Sequence, residues 1–489
     1  MKRAAKPSDT KRGPDRNSAG AGGLAHRAGH DPRAAALAVL MEVVQGGGDS
    51  QAALNRALKR KGFAVAPSDR GLCTELVYGT LRQYLRLRTF AQTFLAKAER
   101  LPEEMRLLLL QTLYEMAFLR SPHRATVNWA VSHVRHRFGK SLASVANGAL
   151  RAMQRSLREF LYDGVEAERC KDAASMARRH GAPLWLAELW LEAYGPENCE
   201  LLLRASASPP PSGLRLNRAR AGWQERLAEL GRQEQDRPEQ SLSEQNPEKT
   251  AAGPARPLVL PPAGLAFFSP LSWPARQLLR EGAASRQSMA AYQALEAMQP
   301  ASWPGPVWDC CAGRGGKSLI LLEQGLAVTL ASDIAAARLR GLAGEYAALG
   351  LETPPLPLLC VLDAADACAR PQPLLPEGPA QDADQPPIPQ SFGTVLIDAP
   401  CSGLGTLARR PEIRLRRSPE DLALLAGLQA RILEAVWRRI RSGGCAVYLT
   451  CTLNPAENQG QAARFLDEHP EARLGSEFQT PFASPLGEF

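Results

Sequence analysis

The sequence predicts a multidomain chain in which an all-α N-terminal domain precedes a C-terminal α/β domain with a Rossmann-like, doubly wound sheet. Two observations predict it. Helical periodicity without a convincing strand runs from Asp31 to about Phe160. From about Trp303, short apolar β-branched runs alternate with helices. Charge divides the chain in the same way. Residues 1–160 hold 27 Lys and Arg against 12 Asp and Glu, whereas the remainder holds 32 against 38. A basic excess confined to the first third points to a polyanion partner, most plausibly nucleic acid.

With 489 residues, 45% of them hydrophobic, the chain can bury a sizeable core. No apolar run approaches a membrane span and no signal-peptide core is visible, so a cytoplasmic protein without membrane contact is expected. The 10 cysteines are scattered without CxxC spacing, which argues against zinc, against any other metal site of that kind and against a disulfide framework. A monomer is expected.

Residues 1–31 are rich in Gly, Ala, Lys and Arg and read as a disordered basic tail. Asp31-Pro32 then caps and opens a helix carrying Leu37, Leu40, Val43 and Val44, which Gly46-Gly47-Gly48 ends. Further helices start at Ser68-Asp69, span Leu101 to Leu119 and run from Thr126 to Phe138, completing an all-α domain over 32–160. Its Arg82, Arg86, Arg88, Arg120, Arg124, Arg135 and Arg137 lie near helix ends, where phosphates could be met.

Residues 161–300 form a middle α/β region. It contains helices Pro183 to Tyr194, Pro196 to Ala207 and Trp223 to Leu230, and strands at Leu214 to Asn217 and Leu258 to Leu260. The polar, aperiodic stretch 233–257 reads as a flexible insertion. In the last domain, 301–489, strands are expected at Val307-Trp308, Val328 to Ser332, Leu358 to Leu362, Thr394 to Ile397 and Cys445 to Thr450. Ser418-Pro419 opens a helix with an inner stripe from Leu422 to Ile440, and Pro371 to Gln390 reads as a proline-rich surface loop.

The first strand runs into Asp309-Cys310-Cys311-Ala312-Gly313-Arg314-Gly315-Gly316-Lys317-Ser318. A Walker A loop would need glycine at 311, and GxGxxG from Gly313 fails at Ser318. What remains is an acid followed by a glycine turn. There, Cys311, Ala312, Gly313, Arg314, Gly315, Gly316 and Lys317 could bring backbone amides close to a nucleotide-like cofactor without a triphosphate. S-adenosylmethionine fits. Asp333 ends the second strand, where an acid can accept both ribose hydroxyls. Asp363 ends the third, where it could meet the adenine edge. Each acid alone could equally be a helix cap. Three acids at successive strand ends, counting Asp398, point to one ligand crevice.

The fourth strand, Thr394 to Ile397, leads into Asp398-Ala399-Pro400-Cys401-Ser402-Gly403. Pro400 and Gly403 hold the cysteine on a tight turn. The fifth strand closes on Thr450-Cys451-Thr452, followed by Pro455, Glu457 and Asn458. Two cysteines at the ends of neighbouring strands could face one pocket. A bland alternative is a buried acid beside inert core thiols.

Together, the glycine loop, Asp-Ala-Pro-Cys-Ser-Gly and Thr-Cys with Pro455, Glu457 and Asn458 resemble the RNA cytosine-C5 methyltransferases. Asp69-Arg70, Glu75 to Arg82, Leu107 to Tyr114, Asn128 to Val131 and Asn147 to Arg151 resemble the NusB-like RNA-binding domain. In that order, the two resemble the RsmB/Sun type across nearly the whole chain. The resemblance implies a class I methyltransferase domain, S-adenosylmethionine as cofactor and small-subunit rRNA as partner. It implies that Cys451 attacks carbon 6 of the target cytosine and that Cys401 assists breakdown of the adduct. Asp398, beside the cofactor, would hydrogen-bond the flipped base. No histidine lies between Gly181 and Pro455, so thiolate formation is expected to draw on local dipoles and the cationic cofactor rather than a Cys–His pair.

The family's loop usually reads Cys-Ala-Ala-Pro-Gly-Gly-Lys, and here Gly313-Arg314 replace Ala-Pro. Thr452 replaces the usual Ser. Arg409-Arg410-Pro411-Glu412-Ile413-Arg414 resembles the family's basic loop and suits RNA phosphates. The altered glycine loop keeps open an alternative, a non-catalytic RNA-binding or assembly factor with a decayed cofactor site. Glu471 to Leu474 is expected to form one more strand. Its partner along the sheet edge is missing by Phe489, so a shortened or less soluble chain is expected, with both cysteines on inner strands.

Overall fold

The computed structural model describes residues 31–59, 67–95, 97–166, 172–236, 256–268, 270–366, 371–374 and 388–487. The basic tail, most of the 233–257 insertion and most of the 371–390 loop lie outside the described residues. The chain divides into two packed units. One comprises the described residues up to Leu81 together with Phe90–Leu157, and the other comprises Arg82–Thr89 and Arg158 onward. No helix among the described residues is long and apolar enough to cross a membrane.

Among the described residues, the regular elements of the first unit are all helices, as its 3.6-residue periodicity requires. Asp31 caps the helix Pro32–Val44, its carboxylate accepting from Arg33 N at 2.8 Å. The helix Glu103–Phe118 is central and buried from Leu107 through Met116. Its Glu115 is satisfied by a forked pair of bonds from Arg33, at 2.8 and 2.6 Å. Gly79 allows a close approach: a Cβ there would sit 1.9 Å from Tyr114 Cζ. Helices His123–Phe138 and Lys140–Arg155 complete the layer, with Val127, Ala130, Val134 and Leu150 buried.

The second unit begins with Ala173–His180 and Leu184–Ala207, the latter broken at Gly195 into the two expected helices. A four-stranded antiparallel sheet follows, in the order β2-β3-β1-β4. Its strands are β1 (Ser212–Leu216), β2 (Leu258–Leu260), β3 (Gly264–Phe267) and β4 (Ala284–Arg286). The sequence reading found β1 and β2 only. The helix Trp223–Gln235 enters the stretch read as a flexible insertion, so residues 233–235 are helical instead.

The larger sheet has the order β10-β9-β5-β6-β7-β8. Strands β5 (Val307–Asp309), β6 (Val328–Asp333), β7 (Leu358–Val361), β9 (Phe392–Asp398) and β10 (Ile440–Leu449) are parallel. The two-residue β8 (Gln372–Pro373), inside the expected surface loop, pairs antiparallel at the far edge. Val395, Leu396 and Ile397 are wholly buried, as a central parallel strand covered on both faces requires. Strand order reverses between β5 and β9, and such a switch point opens a crevice at the carboxyl ends of the strands. Asp309, Asp398, Cys401 and Cys451 all follow those ends.

Two expectations about the edge are corrected. Glu471 to Leu474 is not a strand: the Glu471 carboxylate accepts from Trp437 Nε1 at 3.0 Å and lies 3.1 Å from His469 Nδ1, while Leu474 is exposed. The strand preceding Cys451 is itself the edge strand, so only Cys401 follows an inner one.

Candidate active site

The glycine loop is seated between strands by its main chain. Cys310 N donates to Leu396 O at 3.0 Å and Ala312 N to Ser332 O at 2.9 Å. Gly313 and Gly315 take φ of +58° and +81°, which releases the turn into the helix Gly316–Glu323. A Cβ on Gly315 would meet Leu342 at 2.1 Å, whereas one on Gly313 would meet nothing within 4 Å. The turn is therefore braced underneath and open at Gly313. Arg314 points outward, 3.4 Å from Glu345. Arg215 and Glu323, both buried, anchor the end of the helix through two 2.7 Å bonds.

Asp333 is buried and already engaged: Oδ2 accepts from Gly313 N at 3.0 Å and Oδ1 from Ala335 N at 2.8 Å. A carboxylate has about four acceptor positions, so lone pairs remain for a ribose diol. Asp363 is exposed and caps its own turn through Ala365 N at 2.9 Å. An open glycine turn, an engaged acid after the second strand and an exposed acid after the third fit a nucleoside cofactor without a triphosphate.

The Pro-Cys and Thr-Cys turns bring the two sulfurs 3.2 Å apart, and Cys451 N lies 3.3 Å from Cys401 Sγ. Lys317 Nζ reaches Asp398 Oδ2 at 2.5 Å. The thiols are driven in opposite directions. The hydrogen bond to Cys451, with burial, holds Cys401 well above the ordinary thiol value. The same bond lowers Cys451 against burial and the Asp398 charge, with Lys317 and Arg410 adding to it. Thiolate character thus falls on Cys451, the more exposed of the two residues. The neighbouring thiol and two basic side chains, Lys317 and Arg410, favour it.

Three residues escaped the sequence reading. Asp309 is buried beneath the loop, accepts from Ser318 Oγ at 2.6 Å and leaves Oδ1 without a partner, so burial pushes it up to about 7. It was visible as the acid preceding the glycine turn, but received no role. Ser402 and Gln429 bind Glu457, which had been singled out only as a motif residue. The basic loop is corrected in part. Arg414 is buried and donates to main-chain oxygens of Arg82, Gly181 and Ser206, so it is not available to phosphate. Arg82 and Arg86 are likewise spent on Ala408 O at 2.9 Å and Phe160 O at 2.5 Å. Arg88, Arg120, Arg124, Arg135 and Arg137 are exposed.

Fold and site together define a Rossmann-type methyltransferase with two cysteines at its switch point, preceded by a NusB-type helical unit. The family described as 16S rRNA methyltransferase RsmB/F matches residues 297–487, and the NusB family matches residues 30–155. Ribosomal RNA small subunit methyltransferase B of Vibrio cholerae is 31% identical over 445 residues, covering 90% of each chain. The probable enzyme of the same name from Bacillus subtilis is 30% identical over 89% of this chain and 88% of its own. The crystal structure of PH0851 superposes with a TM-score of 0.62 at 20% identity, over 92% of this chain and 93% of that one, a likeness of fold. The chain belongs to the RsmB family of small-subunit rRNA methyltransferases, which are S-adenosylmethionine-dependent.

Proposed function

We propose that this chain methylates carbon 5 of a cytosine in small-subunit rRNA through a covalent adduct between Cys451 and carbon 6. The observation that carries the reading is the 3.2 Å contact between Cys401 and Cys451, in which one thiol lowers the other. Carbon 5 of cytosine is a poor nucleophile. Addition of the Cys451 thiolate at carbon 6 makes carbon 5 enamine-like. When bound, S-adenosylmethionine supplies an electrophilic methyl group. The residues placed to hold it are Cys311 to Lys317, with Asp333 towards the ribose, Asp363 towards the adenine edge and Asp398 beside it.

Asp398, steadied by Lys317, is placed to hydrogen-bond the N3/N4 edge of a base turned out of its stack. After transfer, a water molecule takes the carbon 5 proton, the freed electron pair re-forms the carbon 5–carbon 6 double bond, and the sulfur–carbon 6 bond breaks to return the Cys451 thiolate. Cys401, held as a thiol, then hydrogen-bonds the departing Cys451 thiolate and eases its expulsion. Arg410, exposed beside the cysteine turns, suits an RNA phosphate.

The test is methylation of small-subunit rRNA with labelled S-adenosylmethionine, mapped by bisulfite sequencing. The expected product is a single 5-methylcytosine, lost by at least about 100-fold in Cys451→Ala. A methyl group on a ribose or a ring nitrogen, or a fully active Cys451→Ala, would overturn the proposal.

A further inference from the structure

Glu457 is wholly buried beside the two cysteine turns. Its Oε2 accepts from Ser402 N and Gln429 Nε2, both at 2.8 Å. Its Oε1 accepts from Ser402 Oγ at 2.5 Å and Asn454 Nδ2 at 3.0 Å. Thr452 Oγ1 closes the group, 3.5 Å from Oε1 and 2.6 Å from Ser402 Oγ. Gln429 extends it to Pro400 O at 3.0 Å. These partners bracket both sulfurs, since Pro400 and Ser402 flank Cys401, and Thr452 follows Cys451.

We propose that Glu457 is a positioning residue: its carboxylate clamps the Pro-Cys-Ser turn onto the Thr-Cys-Thr turn and thereby sets the contact between the two sulfurs. The inference rests on the two-cysteine chemistry above and adds what holds that pair in place. The carboxylate is suited to this because Ser402 N can only donate, and the amides of Gln429 and Asn454 are held as donors by their other bonds, Gln429 Nε2 to Pro400 O at 3.0 Å and Ala456 N to Asn454 Oδ1 at 3.3 Å. A glutamine at 457 would turn an amide N–H towards one of them. The turns remain joined by Ala399 N to Leu449 O at 2.9 Å and Gly405 N to Cys451 O at 3.0 Å. Loss of the clamp should therefore loosen the sulfur contact in a chain that still folds.

The test uses the full chain and iodoacetamide. Alkylation of Cys401 and Cys451 is followed separately by peptide mass spectrometry across pH, beside methylation kinetics and thermal unfolding. In the wild type, Cys451 should alkylate at lower pH than Cys401. In Glu457→Gln, the Cys451 profile should move up towards the ordinary thiol value of about 8.5. Its kcat should fall about 10- to 100-fold, as misplacement of reacting groups does, with KM for S-adenosylmethionine unchanged. Ser402→Ala, which removes one bond and keeps Ser402 N, should shift the profile in the same direction by less. It decides the matter if Glu457→Gln does not fold. A Cys451 profile unchanged in the folded variants, whatever their activity, would overturn the inference and leave Glu457 a structural residue. Failure of the underlying reading looks different, because Cys451 in the wild type would then alkylate no more readily than Cys401.

Discussion

Lys317 Nζ lies 2.5 Å from Asp398 Oδ2, joining the helix after the glycine loop to the end of the central strand β9. Burial works to lower the ammonium, but the charge of Asp398 and its hydrogen bond outweigh it and hold Lys317 above the ordinary lysine value. The lysine of the glycine loop thus reaches the acid proposed to meet the base, and its charge also favours the Cys451 thiolate. Lys317→Met should move alkylation of Cys451 to higher pH and slow methyl transfer about 10-fold or more. A variant with weaker cofactor binding and an unchanged Cys451 profile would confine Lys317 to the cofactor.

Arg414 and Arg410 stand four residues apart and should behave oppositely. The Arg414 guanidinium faces carbonyl oxygens at 2.9, 3.2 and 2.7 Å, and burial brings it down to about 10. Arg414→Ala strands those oxygens and should cost roughly 3 kcal/mol of stability. Arg410→Ala should cost less stability than Arg414→Ala and weaken RNA binding. Thermal unfolding and RNA titration separate the two. Unchanged stability in Arg414→Ala would contradict the packing described here.

Asp309 makes stability depend on pH. Its folded value, about 7, lies above the ordinary aspartate value of 3.8. Between the two the folded state binds the extra proton, so its contribution is full below about pH 4 and is lost as pH rises through 7. Asp309→Asn keeps an acceptor for Ser318 and cannot ionise. It should be more stable than the wild type at pH 8, by an amount on the order of 1–4 kcal/mol, and so unfold at a higher temperature, with the difference shrinking towards pH 5. Equal curves at both pH values would show that Asp309 ionises without penalty.

How much of this was legible in the sequence depended on how local the signal was. The run Val395-Leu396-Ile397 announces a buried strand by its own composition and Asp398 announces its end, as Asp309 and Asp333 announce the ends of β5 and β6. The capped helix Pro419–Trp437 follows from Ser418 and Pro419, and the structure adds Asp421, whose Oδ2 accepts from Ser418 N at 3.0 Å. Strands β3 and β4 were missed because they are three or four residues long, with Gly, Ala and Ser where strands favour branched side chains. The fate of a particular arginine is a tertiary matter. Arg82, Arg86 and Arg414 look like Arg88 and Arg410 until the carbonyls they reach are in place. The same holds for Glu457, whose partners Gln429 and Ser402 lie 28 and 55 residues away.

The most direct test of the two-cysteine account is the covalent state of Cys401→Ala incubated with S-adenosylmethionine and small-subunit rRNA. With the thiol that eases departure of Cys451 removed, a protein–RNA adduct should accumulate, resist denaturing electrophoresis and map to Cys451. It should be absent from the double variant lacking both cysteines. Loss of methylation in Cys401→Ala without any adduct, together with full activity of Cys451→Ala, would contradict the account and make Cys401 the nucleophile.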